Sequence, residues 1–218
     1  MTLQPDPRVT YAFSDPPEDD IRARKHRLVR ETKRVIELVA LLDLDRTEPD
    51  AVSAFADDVQ ALADRLEQQP SLAERGGLAD QEGDQGRLLE RSGISGRSNP
   101  LAAPVQWAPD GEILRGWATY GAAYEGPIGC VHGGFVAAAF DDLLGSAQTA
   151  SGLAGYTGTL TVRMVRPTPL FTRIDYEAGV DRVDGRKIYV WGKARAADEL
   201  VGEAEIVFIA PKGGQLPR

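Results

Sequence analysis

One cysteine, two histidines and no apolar run of membrane-spanning length mark what this 218-residue chain lacks. With Cys130 alone no internal disulfide can form, which fits a reducing compartment. His26 and His132, without a cysteine pair, make no zinc-type ligand set, so no metal is expected. A transmembrane helix needs about 20 consecutive apolar residues, and the chain has no such stretch. Met1 to Pro7 lack the charged-then-apolar order of a secretory signal, and the expected compartment is the cytoplasm. Lysine and arginine number 25 against 33 aspartates and glutamates, a net charge of −8. Nucleic acid is therefore not an expected partner, because its phosphates call for a basic surface. There is no Gly-Lys-Ser/Thr phosphate loop and no internal repeat. What remains is 42% hydrophobic and 27% charged, the composition of an ordinary globular protein.

Two regions of different character divide at about residue 98. In the first, 1–97, a proline-rich start leads at Asp19-Asp20 into a helical segment ending near Leu44. Leu28, Thr32, Val35, Val39 and Leu42 recur there at three- and four-residue steps. Its first half is basic (Arg22, Arg24, Lys25, Arg27, Arg30, Lys33, Arg34), the pattern of a solvated face, with an anion or membrane surface as the lesser alternative. Pro49-Asp50 opens a second helix striped by Val52, Phe55, Val59, Leu62 and Leu66 and stopping before Pro70. The two stripes are expected to pack on each other and on the following domain, the second of them on that domain or across a dimer. A glycine-rich polar stretch over 71–98 reads as a linker with a helical turn at Arg87–Arg91.

The second region, 98–218, is a set of strands around one helix. Val105–Trp107 and Ile113–Tyr120 flank a Pro109-Asp110-Gly111 turn. Four strands follow: Thr159–Arg166, Leu170–Val183, one carrying Ile188, Val190, Gly192 and Ala194, and one carrying Leu200, Gly202, Ala204, Ile206 and Phe208. Asp184-Gly185 is the expected two-residue turn between the middle pair.

Between the hairpin and these strands lies Gly129–Gly145. From Phe135 to Leu144 every residue is apolar except Asp141 and Asp142, which predicts a helix apolar nearly all round and buried. Gly133 and Gly134 leave backbone N–H groups uncovered at its start, where the helix dipole favours an anion. Asp141 lies two turns on, a carboxylate that burial penalises unless it is paired or used. Such a helix is either a catalytic device or a core helix whose acid hydrogen-bonds to backbone. One helix apolar on all sides calls for a curved antiparallel sheet wrapped around it, an α+β hotdog fold with an N-terminal helical extension.

Residues 100–210 resemble the hotdog-fold acyl-CoA thioesterases of the branch whose helix opens with His-Gly-Gly. The resemblance rests on Val131-His132-Gly133-Gly134 with Asp141 nine residues after the histidine. It continues through the Thr157-to-Arg166-Pro167 strand, Asp181-Arg182-Val183-Asp184-Gly185-Arg186-Lys187, and the terminal Val207-Phe208-Ile209. It implies hydrolysis of an acyl-CoA thioester, with CoA entering as part of the substrate and no other cofactor. It implies that Asp141 is the nucleophile or general base, and that the Gly133 N–H polarises the thioester carbonyl. Thr157 is the hydroxyl that a neighbouring subunit supplies to position water or the acid. His132 and Gly134 then lie against the substrate, and Arg166, Arg186 and Lys187 are candidates for the CoA phosphates or plain exposed strand-end charges. Related enzymes often carry an asparagine six residues before the histidine. That position is Gly126 here, so its role is absent or passes to Tyr124 or Glu125.

Other residues carry simpler readings. His132 is expected to be a structural hydrogen-bonder rather than a base, Cys130 an inert thiol, and Asp142 a cap or a partner for a cation. Two further functions share the fold: an acyl-thioester hydratase using His132 as base, and a non-catalytic acyl-CoA sensor with the N-terminal helices as effector. An exposed strand edge and a borrowed Thr157 imply a homodimer or a dimer of dimers.

Overall fold

A computed structural model describes residues 18–72 and 90–212. The proline-rich start, most of the glycine-rich stretch and turn at 71–98, and the last residues lie outside the described residues. Helix α1 spans Ile21–Ala40, its first turn closed by Asp20, whose carboxylate accepts from the Arg22 N–H. Helix α2 spans Pro49–Glu67 with proline at its first position, where the missing N–H costs nothing. Strands β1 (Val105–Asp110) and β2 (Ile113–Thr119) form the hairpin, and the central helix α3 covers Gly133–Ala147. Strands β3 (Tyr156–Met164), β4 (Arg173–Asp184), β5 (Lys187–Ala196) and β6 (Glu199–Ile209) complete the chain.

The strands make one antiparallel six-stranded sheet in the order β1-β2-β4-β5-β6-β3. It curls around α3, which buries Val136, Ala139, Phe140, Leu143, Leu144 and Ala147. The approach is close because the facing strands carry glycines. A Cβ on Gly192 would come within 2.6 Å of Leu144 Cδ1, and one on Gly202 within 3.2 Å of Phe140 Cε2. Two chains of edge-to-face rings tie the helix outward: Trp107–Tyr176–Phe140 at 5.6 and 5.8 Å, and Tyr120–Tyr124–Phe135 at 5.6 and 4.9 Å. Each such pair adds a fraction of a kcal/mol, up to about 1.5, to the area it buries.

Three local expectations shift. The turn between β4 and β5 is Gly185-Arg186, not Asp184-Gly185, because Asp184 pairs with Lys187 and the positive φ falls on Gly185. The first hairpin turns at Gly111-Glu112, leaving Pro109 on the edge strand β1, where a missing donor is tolerated. The largest change concerns α3, which is not buried all round. Its second face, with Gly134 and Asp141 exposed and Gly133, Ala137 and Ala138 half-buried, lies open beside β3. Six strands of one chain cover only part of a helix's circumference.

The N-terminal helices differ from expectation as well. α2 buries none of its residues, and Phe55, Val59, Leu62 and Leu66 are all exposed. Among the described residues nothing buries its stripe. α1 does dock on the sheet layer, but not through its predicted stripe. Leu28, Val35 and Val39 are exposed, while His26 and Val29 are the buried residues. The docking is polar. Both Glu37 carboxylate oxygens accept from backbone N–H groups of the turn after β2, Ala122 at 2.7 Å and Ala123 at 3.2 Å. His26 Nε2 lies 2.6 Å from Glu90 Oε2, to which Ser98 Oγ also donates at 2.8 Å.

Candidate active site

The start of α3 is built by backbone before side chains. The Val131 N–H donates to the Thr168 carbonyl at 2.8 Å, and the His132 N–H to the Tyr124 carbonyl at 2.9 Å. Those bonds aim the chain into the helix, and His132 caps it, its Nδ1 accepting from the Gly134 N–H at 3.0 Å. An imidazole that accepts at Nδ1 carries its proton on Nε2, so the capping nitrogen is not free to take one from a substrate. The Gly133 N–H has no hydrogen-bond partner among the described residues. Of the residues that open the helix, Gly133 thus presents the free donor at the positive end of its dipole.

Asp141 lies eight residues on, about 12 Å along the axis. It is exposed, so the burial expected from the apolar sequence around it is not present in one chain. The Thr157 hydroxyl of the same chain donates to Asp141 Oδ1 at 3.4 Å, a long hydrogen bond. A neighbour is therefore not needed to bring this hydroxyl to this acid. At the other end Met164, also on β3, stands 3.6 Å from where a Gly133 Cβ would be. Strand β3 thus lies along the small-residue face of α3, with a free N–H near one end and a carboxylate with a hydroxyl near the other. Taken separately, the N–H can donate to a thioester oxygen and the carboxylate can serve as a nucleophile or base.

Asp142, one position on, is a different kind of acid. It accepts from Trp107 Nε1 at 2.8 Å and from Ser92 Oγ at 3.0 Å. Among the described residues no cation pairs with it, so of the two expected roles it is not the cation partner that the structure shows. Ser92 Oγ itself accepts from the Ile94 and Ser95 N–H groups, so Asp142 ties α3 to the segment before β1.

The three basic candidates are not brought together. Arg166 reaches the Leu200 carbonyl at 3.3 Å and Glu199 at 3.8 Å, at the beginning of β6. Arg186 donates to the Ala210 carbonyl at 3.1 Å, and Lys187 pairs with Ile209, at the end of β6. The length of that strand, on the order of 30 Å, separates them. The glycine that replaces the relatives' asparagine has no room for a side chain: a Cβ on Gly126 would sit 2.7 Å from His132 Cα. Neither suggested substitute is free. Glu125 accepts from the Gly129 N–H at 2.7 Å, and the Tyr124 hydroxyl donates to the Ala102 carbonyl at 3.2 Å. Burial, and then the negative charge of Glu37, hold the Tyr124 phenol above its ordinary pKa and keep it a donor. Met164, Trp107, Ser92, Glu37 and Glu90 were not legible as neighbours of these residues. Pairings 35 to 85 positions apart leave no local signal.

No protein-family model matches the chain. Acyl-coenzyme A thioesterase THEM4 of Bos taurus is 34% identical over 87 residues, which are 39% of this chain and 35% of that protein. The Xenopus laevis protein of the same name is 32% identical over 87 residues, 39% of each. The chain thus spans little more than a third of the curated relatives it matches. The crystal structure of a thioesterase superfamily protein superposes with a TM-score of 0.74 at 30% identity, covering 89% of this chain and 97% of that one. That is more than residues 98–218 can supply, so the likeness reaches into the N-terminal helices. At that identity over nearly the whole of the solved chain, this protein belongs to the thioesterase superfamily, and its sheet wrapped on α3 is the hotdog fold of that family.

Proposed function

We propose that the chain hydrolyses an acyl-CoA thioester to a free acid and CoA. The observation that carries this reading is the open face of α3, with the Gly133 N–H that no described residue accepts at one end and Asp141 beside Thr157 at the other. The thioester oxygen accepts from Gly133, and the negative charge it gains under attack is favoured by the helix start. Losing one such donor typically costs about 10²–10³ in rate. Asp141 either attacks the carbonyl carbon or takes a proton from the attacking water. The tetrahedral intermediate collapses with departure of the CoA thiolate, which takes up a proton; where Asp141 itself attacked, water then hydrolyses the resulting mixed anhydride to the free acid and restores the carboxylate, which Thr157 holds in place. His132, engaged in capping, orients the helix start, which disfavours a hydratase that would need it as base. The THEM4 relatives carry acyl-CoA thioesterase as their name, which supports the substrate class.

The working unit in this reading is a homodimer, or a dimer of such dimers, in the cytoplasm. Strand β3 ends the sheet with Tyr156 and Met164 exposed, and a free edge of this kind is a template for pairing. A second copy there would also cover the open face of α3 and exclude water around Asp141. A thiol-release assay over an acyl-CoA panel tests the function; a folded protein releasing no CoA from any member refutes it. Sedimentation at micromolar concentration tests the assembly, which a monodisperse monomer would rule out.

A further inference from the structure

α1 crosses the leading end of β1, leaving a groove of about 390 Å³ between them. His26, Arg30 and Lys33, at i, i+4 and i+7 on α1, line it together with Arg97 from the segment before β1. Val29 and Val105 back the groove, and among the described residues no acidic side chain lines it. In a chain of net charge −8 that is a concentrated exception. Lys33 is half withdrawn from water, and burial lowers its pKa, yet neither it nor Arg30 meets an acid among the described residues. Withdrawing even part of a cation from water without a counter-charge is costly, and an anion bound beside Lys33 offsets that cost.

A second observation comes from His26, which is only 3% exposed. Its Nε2 is held by Glu90 at 2.6 Å, while its Nδ1 is buried with no hydrogen-bond partner. That second ring nitrogen is a buried polar atom whose partner the described residues do not supply. The Glu37 carboxylate nearby is already spent on the Ala122 and Ala123 N–H groups.

We propose that the groove between α1 and β1 binds a phosphorylated anion, held by Arg30, Lys33 and Arg97 over the buried His26. Two sources share this chemistry, the nucleotide end of CoA and a free phosphorylated metabolite. Only the first depends on the thioesterase reading. The test is calorimetric titration of the full chain at low ionic strength with pyrophosphate and, separately, adenosine 3′,5′-bisphosphate. One site per chain is expected, weakened about tenfold by Lys33→Gln and by Arg30→Gln, as for the loss of a charge-assisted contact, and unchanged by Arg186→Gln. Both substituted residues are at least partly exposed, and circular dichroism verifies that the variants fold. Tighter binding of the bisphosphate, competition by CoA, and a raised KM with unchanged kcat in Lys33→Gln identify the CoA nucleotide. Equal binding of both anions without CoA competition identifies a free phosphorylated ligand. Absence of binding by either anion, binding indifferent to both α1 substitutions, or association with phosphatidylglycerol vesicles alone overturns the proposal.

Discussion

Helices α2 and α3 carry their apolar residues in opposite circumstances. α2 has a regular stripe, and its four largest members face solvent. α3 has no clean stripe, being apolar nearly throughout, and it buries six residues. The difference lies in what faces each helix. Glycines 192 and 202 let the sheet come within touching distance of Phe140 and Leu144, whereas among the described residues nothing buries any residue of α2. Periodicity shows that a face wants covering and leaves open what covers it.

The largest effect expected from this contrast is in stability. Phe140→Ala should cost about 3–5 kcal/mol, the range for emptying a fully buried aromatic site. Phe55→Ala should leave the unfolding free energy of a monomer nearly unchanged, within about 0.5 kcal/mol, as for an exposed side chain. Denaturant melts of both variants decide it. A concentration-dependent loss in Phe55→Ala would show that a second copy covers α2 in solution.

Next come the adjacent aspartates of α3, one exposed and one tied down. Asp141→Asn should lower thioester turnover by about 10² or more while leaving the melting temperature close to that of the parent, the scale of losing a general base. Asp142→Asn should do the reverse. It leaves the Trp107 and Ser92 donors sharing one oxygen, so stability should fall by about 1–3 kcal/mol with little change in kcat of the folded fraction. Equal hydrolysis after Asp141→Asn would make that acid structural.

A third contrast sets the buried core against the surface through pH. The Tyr120 and Tyr176 hydroxyls lie 2.9 Å apart. Burial pushes Tyr120 up to about 12 and Tyr176 well above its ordinary value. Both stay protonated in the fold while an unfolded tyrosine ionises near pH 10. Their contribution is therefore complete below about pH 10 and is lost as pH climbs from there through the folded pKa. Each pH unit in that window should cost on the order of 1.4 kcal/mol per phenol. Tyr176→Phe should roughly halve the slope in denaturation measured across the window, and an unchanged slope would assign it to other groups.

The smallest effect concerns the docking of α1. Glu37→Gln keeps one carbonyl oxygen for the Ala122 and Ala123 N–H groups but removes the charge, and should cost about 1 kcal/mol. Faster amide exchange at those two residues, with the β4–β5 hairpin unaffected, would show that the loss is local.

The order of the elements was legible because each follows from a period of a few residues. α2 begins at the proline that marked it, β5 buries the alternate residues expected of it, and β6 does so from Gly202 onward, with Val201 buried where Leu200 was expected. The turn between β4 and β5 was misplaced by one residue because Asp-Gly dipeptides fit two adjacent positions in a hairpin, and the pairing of Asp184 with Lys187 chooses between them. The face on which α1 docks was misread for a deeper reason. Its contacts are a buried histidine and a carboxylate capping a distant turn, and hydrophobic periodicity is blind to both.

Within the site, sequence alone determined the helix, its glycine start and the eight-residue separation of Gly133 from Asp141, since these lie on one continuous segment of fixed rise. Tertiary structure decided the rest. It laid Thr157 against Asp141, spent Asp142 on Trp107 and Ser92, set Arg166 a strand's length from Arg186, and left one face of α3 open. Those outcomes depend on which strands lie next to one another and how far the sheet curls. Such pairings are selected by the packing of the whole layer, which no window of the sequence contains.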